Sequence, residues 1–239
     1  MRWIAMISLV GCGSDAPKTG DTHHADTDTD TDTDTDTDTD TTAAPWSRTA
    51  VIDGDGSDWL ADESFPTTGG TTWITWDSET LFVGIDHPDV TGGGAEHWVQ
   101  IYMGDQVQGT TTGVLYNTQQ PTLPAEMSHL LRWKADGSFD SLMTWNGKTW
   151  DDSPSFLGTD GSQMAKGDIV EFAIPFAGLT LTDTFALHIN WLFEGAGYES
   201  TYAPVPASSH ADTYDPDYGQ AYVFDRRLSS SPANYAPVP

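Results

Sequence analysis

Positive charge and cysteine are both scarce in this sequence. Nine lysine and arginine side chains stand against 36 aspartates and glutamates, a formal net charge of −27 over 239 residues. Residues 46–239 alone still carry 26 acidic and 7 basic groups. A surface of that sign repels phosphate backbones, which argues against nucleic acid as a partner. It also repels anionic headgroups, so any hold on a bilayer must be hydrophobic or covalent. With one cysteine, Cys12, the rest of the chain has neither a disulfide nor thiolate chemistry. No apolar run approaches the roughly 20 residues that span a bilayer as a helix. Sustained 3.6-residue periodicity is missing too. There is no Gly-x-Ser-x-Gly elbow and no phosphate-cradling glycine loop. Paired carboxylates would suffice for glycoside hydrolysis, but among 26 acidic groups some pair is inevitable. The chain therefore reads as a non-enzyme with no required cofactor.

What the first 45 residues do contain is ordered. "MRWIAMISLVGCGSD" places a basic Arg2 before an apolar run from Ile4 to Val10, then Leu9-Val10-Gly11-Cys12. That order resembles a bacterial lipoprotein signal with its lipobox. The resemblance implies a signal peptide over residues 1–11 and an acylated Cys12 as the mature N-terminus. It also implies attachment to the lipid bilayer of the bacterial outer membrane or cell surface. Several acyl chains, at ~0.8 kcal/mol per buried CH₂, anchor stably where one does not. Residues 12–45 read as a disordered acidic tether: eight Asp-Thr pairs run from Asp26 to Thr41 with almost no apolar side chain. No core can form from such a segment, and at ~3.1 Å per residue it reaches on the order of 100 Å.

Residues 46–239 are expected to form a single β-sandwich domain, all-β, with two antiparallel sheets. Short alternating runs separated by turn residues dominate. They are 71–77, 80–86, 97–103, 129–135, 141–150, 168–176, 184–193 and 220–225. In 184–193, Phe185, Leu187, Ile189, Trp191 and Phe193 fall on one face, expected to be core. His188 and Asn190 fall on the other. Residues 194–219 read as a long irregular loop.

The order "IDGDGSDW", "TTWITWDSETLFVGIDH", "VEFAIPFAGL", "FALHINWLFE" resembles the family 9 carbohydrate-binding module and its DOMON-like relatives over about residues 50–225. The resemblance implies a β-sandwich in which Asp53, Gly54, Asp58 and Trp59 form a structural turn and core anchor. It also implies glycan or polysaccharide as the partner, with calcium near such turns in some members. Asp53, Asp55 and Asp58 are the metal candidates. They are not an EF-hand, because position 6 of that loop would be Asp58 instead of glycine and position 12 Ser64 instead of glutamate.

Sugars are held by flat aromatic faces with carboxylates and amides beside them, and nine of the ten tryptophans lie in residues 46–239. Asn146-Gly147 between two β runs signals a tight hairpin. A two-residue turn there puts Trp145 opposite Lys148 and Met143 opposite Trp150, so that Trp145, Lys148 and Trp150 share a face as a sugar platform. Tyr198, Tyr202 and Tyr214, among the carboxylates of residues 194–219, are the second set of sugar-binding candidates. Two alternatives stand beside glycan binding: a structural envelope component without a small ligand, and, as the resemblance to DOMON-like domains implies, a haem module drawing ligands from Met103, Met127, Met143, Met164 or Lys166.

Overall fold

The computed structural model describes residues 46–239 except 116–118, 153–154, 159 and 209–215. The segment expected to be a signal peptide, Cys12, the Asp-Thr repeat expected to be a tether and Tyr214 lie outside the described residues. Fifteen strands follow in chain order: β1 Ser64–Thr67, β2 Gly70–Trp76, β3 Thr80–Asp86, β4 His97–Gly104, β5 Thr110–Thr112, β6 Thr122–Met127, β7 His129–Lys134 and β8 Asp140–Trp145. After these come β9 Trp150–Asp152, β10 Gln163–Lys166, β11 Val170–Pro175, β12 Thr184–Gly195, β13 Tyr198–Val205, β14 Ala221–Asp225 and β15 Ala236–Val238. One sheet has the order β1-β2-β3-β11-β10, the other β15-β14-β12-β4-β7-β8-β9, and β13 pairs with β12 where β14 leaves off. The named strand pairs are antiparallel. The fold is thus an all-β two-sheet sandwich.

Alternation along the strands explains the core between the sheets. Phe185, Leu187, Ile189 and Trp191 of β12 meet Ile74, Trp76, Val83, Ile85 and Phe172 of the facing sheet, all at 1% exposure or less. Phe193 lies beyond the core and is only half-buried, its ring 5.5 Å from that of His97. The outer faces are covered as well. Trp59, Phe82, Ile169 and Ala173 pack where residues 50–59 cross the five-stranded sheet. Over the other sheet lies the β5–β6 hairpin, and Tyr102, Leu130, Met143 and Leu192 pack beneath it with Leu115 and Leu123.

This extra layer buries the polar face of β12, a step that two-residue periodicity does not reveal. His188 stacks on Tyr218 at 4.5 Å and 20°, and its Nδ1 lies 2.9 Å from the Gln220 carbonyl. Asn190 donates to Gln100 Oε1 at 2.9 Å. Burial of such groups is tolerated because each finds a hydrogen-bonding neighbour.

Residues 194–219 are not one irregular loop. β12 turns through Ala196-Gly197, both at positive φ (52° and 80°), and β13 returns beside it with Gly195 opposite Tyr198. Two central residues at positive φ are what a type I′ hairpin turn requires. Pro204 is accommodated because β13 pairs with one strand, β12, among the described residues.

Candidate functional site

The 140–152 hairpin differs from its expected form. Asn146 Oδ1 accepts from the backbone amides of both Lys148 (2.9 Å) and Thr149 (3.0 Å), and Gly147 takes φ +93°. The side-chain carbonyl thereby builds a four-residue loop in place of the two-residue turn. Trp145 faces Trp150 directly and Met143 faces Asp152. Lys148 is exposed in the loop and shares no strand face with the two rings.

The two tryptophans have different surroundings. Their rings meet edge to face, with centroids 5.9 Å apart at 61°. Trp150 packs against the cluster under the β5–β6 hairpin, and its indole N–H donates to the Thr112 carbonyl at 2.9 Å. It ties that hairpin to the sheet. Trp145 instead lines a groove of about 580 Å³, within the range of small-ligand sites. Four separated segments build the groove: Val107–Gly109 after β4, Glu126 and Ser128 around the β6–β7 junction, Trp145–Gly147 at the hairpin, and Thr180 before β12. Val107 stands 73% exposed on its rim, and Glu126 and Gln108 are exposed beside it.

Ser128 is the unusual member. Its amide donates to the Met103 carbonyl and its carbonyl accepts from Trp145, which fixes the residue between two strands. Its hydroxyl, in a residue 4% exposed, is buried without a hydrogen-bond partner among the described residues. An unpaired buried hydroxyl costs ~1–3 kcal/mol. Nothing in the sequence around position 128 signals this.

Thr180 is held by the buried His129. Its amide donates to Nε2 at 3.1 Å, so the ring proton sits on Nδ1, 3.4 Å from Thr144 Oγ1. Burial pushes the imidazole down to about 4, against a smaller upward pull from the Asp105 carboxylate. The folded pKa lies below the unfolded one of about 6.5, so between these values the unfolded chain binds more protons. Stability from the neutral ring is complete above pH ~6.5 and falls as pH drops through the window, by up to ~3 kcal/mol. Urea midpoints measured from pH 7 to 4 should fall more steeply for the native chain than for His129→Gln. Parallel curves would show that the imidazole does not carry the acid sensitivity.

The remaining candidates lie elsewhere. Strand directions put His97, the start of β4, and Gly195, the end of β12, at the opposite end of the sandwich from Trp145. Tyr198, 55% exposed, and Tyr202 belong to that far end. Tyr202 donates to Asp89 at 2.9 Å and meets His97 Nδ1 at 2.7 Å. Burial first, then the Asp89 carboxylate, raise the Tyr202 hydroxyl above its ordinary pKa. This is an interlocked end plug, and the tyrosines do not join Trp145.

Asp53, Asp55 and Asp58 are spent on their own loop. Asp53 Oδ1 accepts from the Asp55 amide, Asp55 Oδ1 from Ser57 and Asp58 Oδ2 from Val51, at 2.8–2.9 Å. Among the described residues no three His, Cys, Asp or Glu side chains are grouped to hold a metal ion. The loop is held to the sheet by Glu171, whose carboxylate accepts from the amides of Asp53 and Gly54 and from the Trp59 indole. Of the haem-ligand candidates, Met103 lies in the inter-sheet core, and Met127 and Met143 lie under the β5–β6 hairpin. Met164 packs at the edge of the inter-sheet core, and Lys166 donates to the Ala135 carbonyl at 2.8 Å.

No protein-family model matches the chain, and no curated protein matches it.

Proposed function

We propose that this domain binds a glycan non-catalytically in the Trp145 groove, carried at the cell envelope by an acylated Cys12. The supporting observation is the Ser128 hydroxyl, buried and unpartnered in the wall of a groove that also offers a half-buried indole. A sugar presents CH-rich faces and hydroxyls together. The Trp145 ring and Val107 suit the former, and Ser128, Glu126 and Gln108 suit the latter.

The test is a glycan and polysaccharide binding screen on the full chain. A specific ligand whose affinity falls in groove variants supports the reading. A blank screen with folded protein would sink it and leave a structural envelope role.

Ser128→Ala separates function from stability. Removing an unsatisfied hydroxyl should leave the domain as stable or up to ~1 kcal/mol more stable. The same change should weaken glycan binding about tenfold, the cost of one lost hydrogen bond in a desolvated site. Thermal melts and calorimetric titration on one preparation check both halves. Lost stability with unchanged affinity would make Ser128 part of the scaffold only.

A further inference from the structure

A second groove, of about 720 Å³, opens at the same end of the sandwich. Its lining includes Glu79, Asp160, Phe176, Leu181 and Arg226. The two grooves share a wall, since Thr180 lines the first and the next residue, Leu181, lines the second. Consecutive Cα atoms are ~3.8 Å apart, so one chain thickness divides them.

That wall is fixed in place. Thr180 is bound to His129, the Phe176 amide donates to the Glu79 carbonyl at 2.7 Å, and the Leu179 amide donates to the Phe176 carbonyl at 2.9 Å. The Arg226 amide donates to the Asp183 carbonyl at 2.8 Å, closing the loop from its far side. Arg226 is itself oriented: its guanidinium lies 4.3 Å from the Phe176 ring and its Nη2 is 3.3 Å from Asp183. Its Nε is buried without a partner among the described residues. A rigid rim needs no ordering when a ligand arrives.

We infer that the two grooves are successive subsites for one linear, uncharged polysaccharide, which crosses the rim at Thr180 and Leu181. The inference rests on the glycan-binding reading and adds polymer length and charge to it. Length follows from two ligand-sized grooves on either side of one narrow wall. Charge follows from the lining, where Glu126 faces one groove and Glu79 and Asp160 the other, on a chain of net charge −27. Acidic sugars would meet repulsion at both subsites. Hydroxyls, which donate to carboxylates and accept from a guanidinium, meet complementary groups.

The experiment is calorimetric titration of the full chain with cello-, xylo- and manno-oligosaccharide ladders of one to six units. Polygalacturonate serves as the charged competitor. For the ladder that binds, affinity should rise about tenfold or more once the chain is long enough to occupy both grooves. Arg226→Gln and Glu79→Gln should each remove that gain, and thermal melts close to the native chain's should show that both variants fold. Affinity that is flat along the ladder would overturn the two-subsite inference and leave the Trp145 groove as a one-site binder. Polygalacturonate that competes as well as the neutral oligomers would overturn the assignment of charge. If no oligomer of any length binds and the polysaccharide screen is also blank, the glycan reading itself fails.

Discussion

Replacing Glu171 with alanine should lower the unfolding free energy by about 4 kcal/mol, the largest stability loss expected from one polar substitution here. The side chain is fully buried on β11. Its Oε2 accepts from the amides of Asp53 (2.9 Å) and Gly54 (2.6 Å), and its Oε1 accepts from the Trp59 indole N–H (2.7 Å). One carboxylate thus closes three hydrogen bonds to residues over a hundred positions away. Alanine leaves those donors without an acceptor, at ~1–3 kcal/mol each before the loop relaxes. Relaxation is confined, because the Trp59 ring packs over Gly84, where a Cβ would lie 2.8 Å from its Cε2. Glutamine does not rescue the site, since its amide group would turn a donor toward donors. At roughly 2–4 °C per kcal/mol for a domain of this size, Tm should fall by about 8–16 °C. A loss below about 1 kcal/mol in urea or thermal unfolding would show that Arg48, which bonds the Asp58 carbonyl and pairs with Glu63 at 3.2 Å, holds the segment alone.

The sandwich was legible in the sequence where strand chemistry and turn chemistry agreed. Asp77-Ser78-Glu79 closes the β2–β3 hairpin because Asp77 Oδ1 accepts from the amides of Glu79 and Thr80, a role short acidic side chains commonly take. The inward face of β12 was legible for the same kind of reason, up to Trp191. β13 was not, because its turn is Ala-Gly with alanine at positive φ, where asparagine or aspartate would have been the signal. Nor was the third layer. Alternation reports that Ala186, His188, Asn190 and Leu192 share a face, and it cannot say whether water or the β5–β6 hairpin meets it. The groove was legible in a single residue, Trp145. Ser128, Glu126 and Thr180 come from separate segments and carry no motif, so only the folded chain brings them together.

Trp145→Ala and Trp150→Ala should have opposite effects although the two residues face each other. The Trp145 ring borders the groove and touches Trp150 edge-on, so its loss removes the proposed platform and little packing. Central aromatic contacts are worth ~2 kcal/mol or more in binding, and affinity should fall about thirtyfold. Stability should drop by only ~1 kcal/mol, the scale of one aromatic pair. Trp150 has a different task. Its indole N–H bonds Thr112, its ring lies 6.3 Å from that of Tyr102, and it packs on the cluster that seats the β5–β6 hairpin. Truncation there leaves a void and an unpaired carbonyl, and about 3 kcal/mol of stability should go. Affinity should then change only a few-fold at temperatures where the variant stays folded, because Trp145 still stands on β8. Titration with the ligand found in the screen, beside thermal melts of both variants, decides the matter. Should Trp145→Ala destabilise as strongly as Trp150→Ala and leave affinity intact, the indole is packing alone, and the groove loses its claim to be the glycan site.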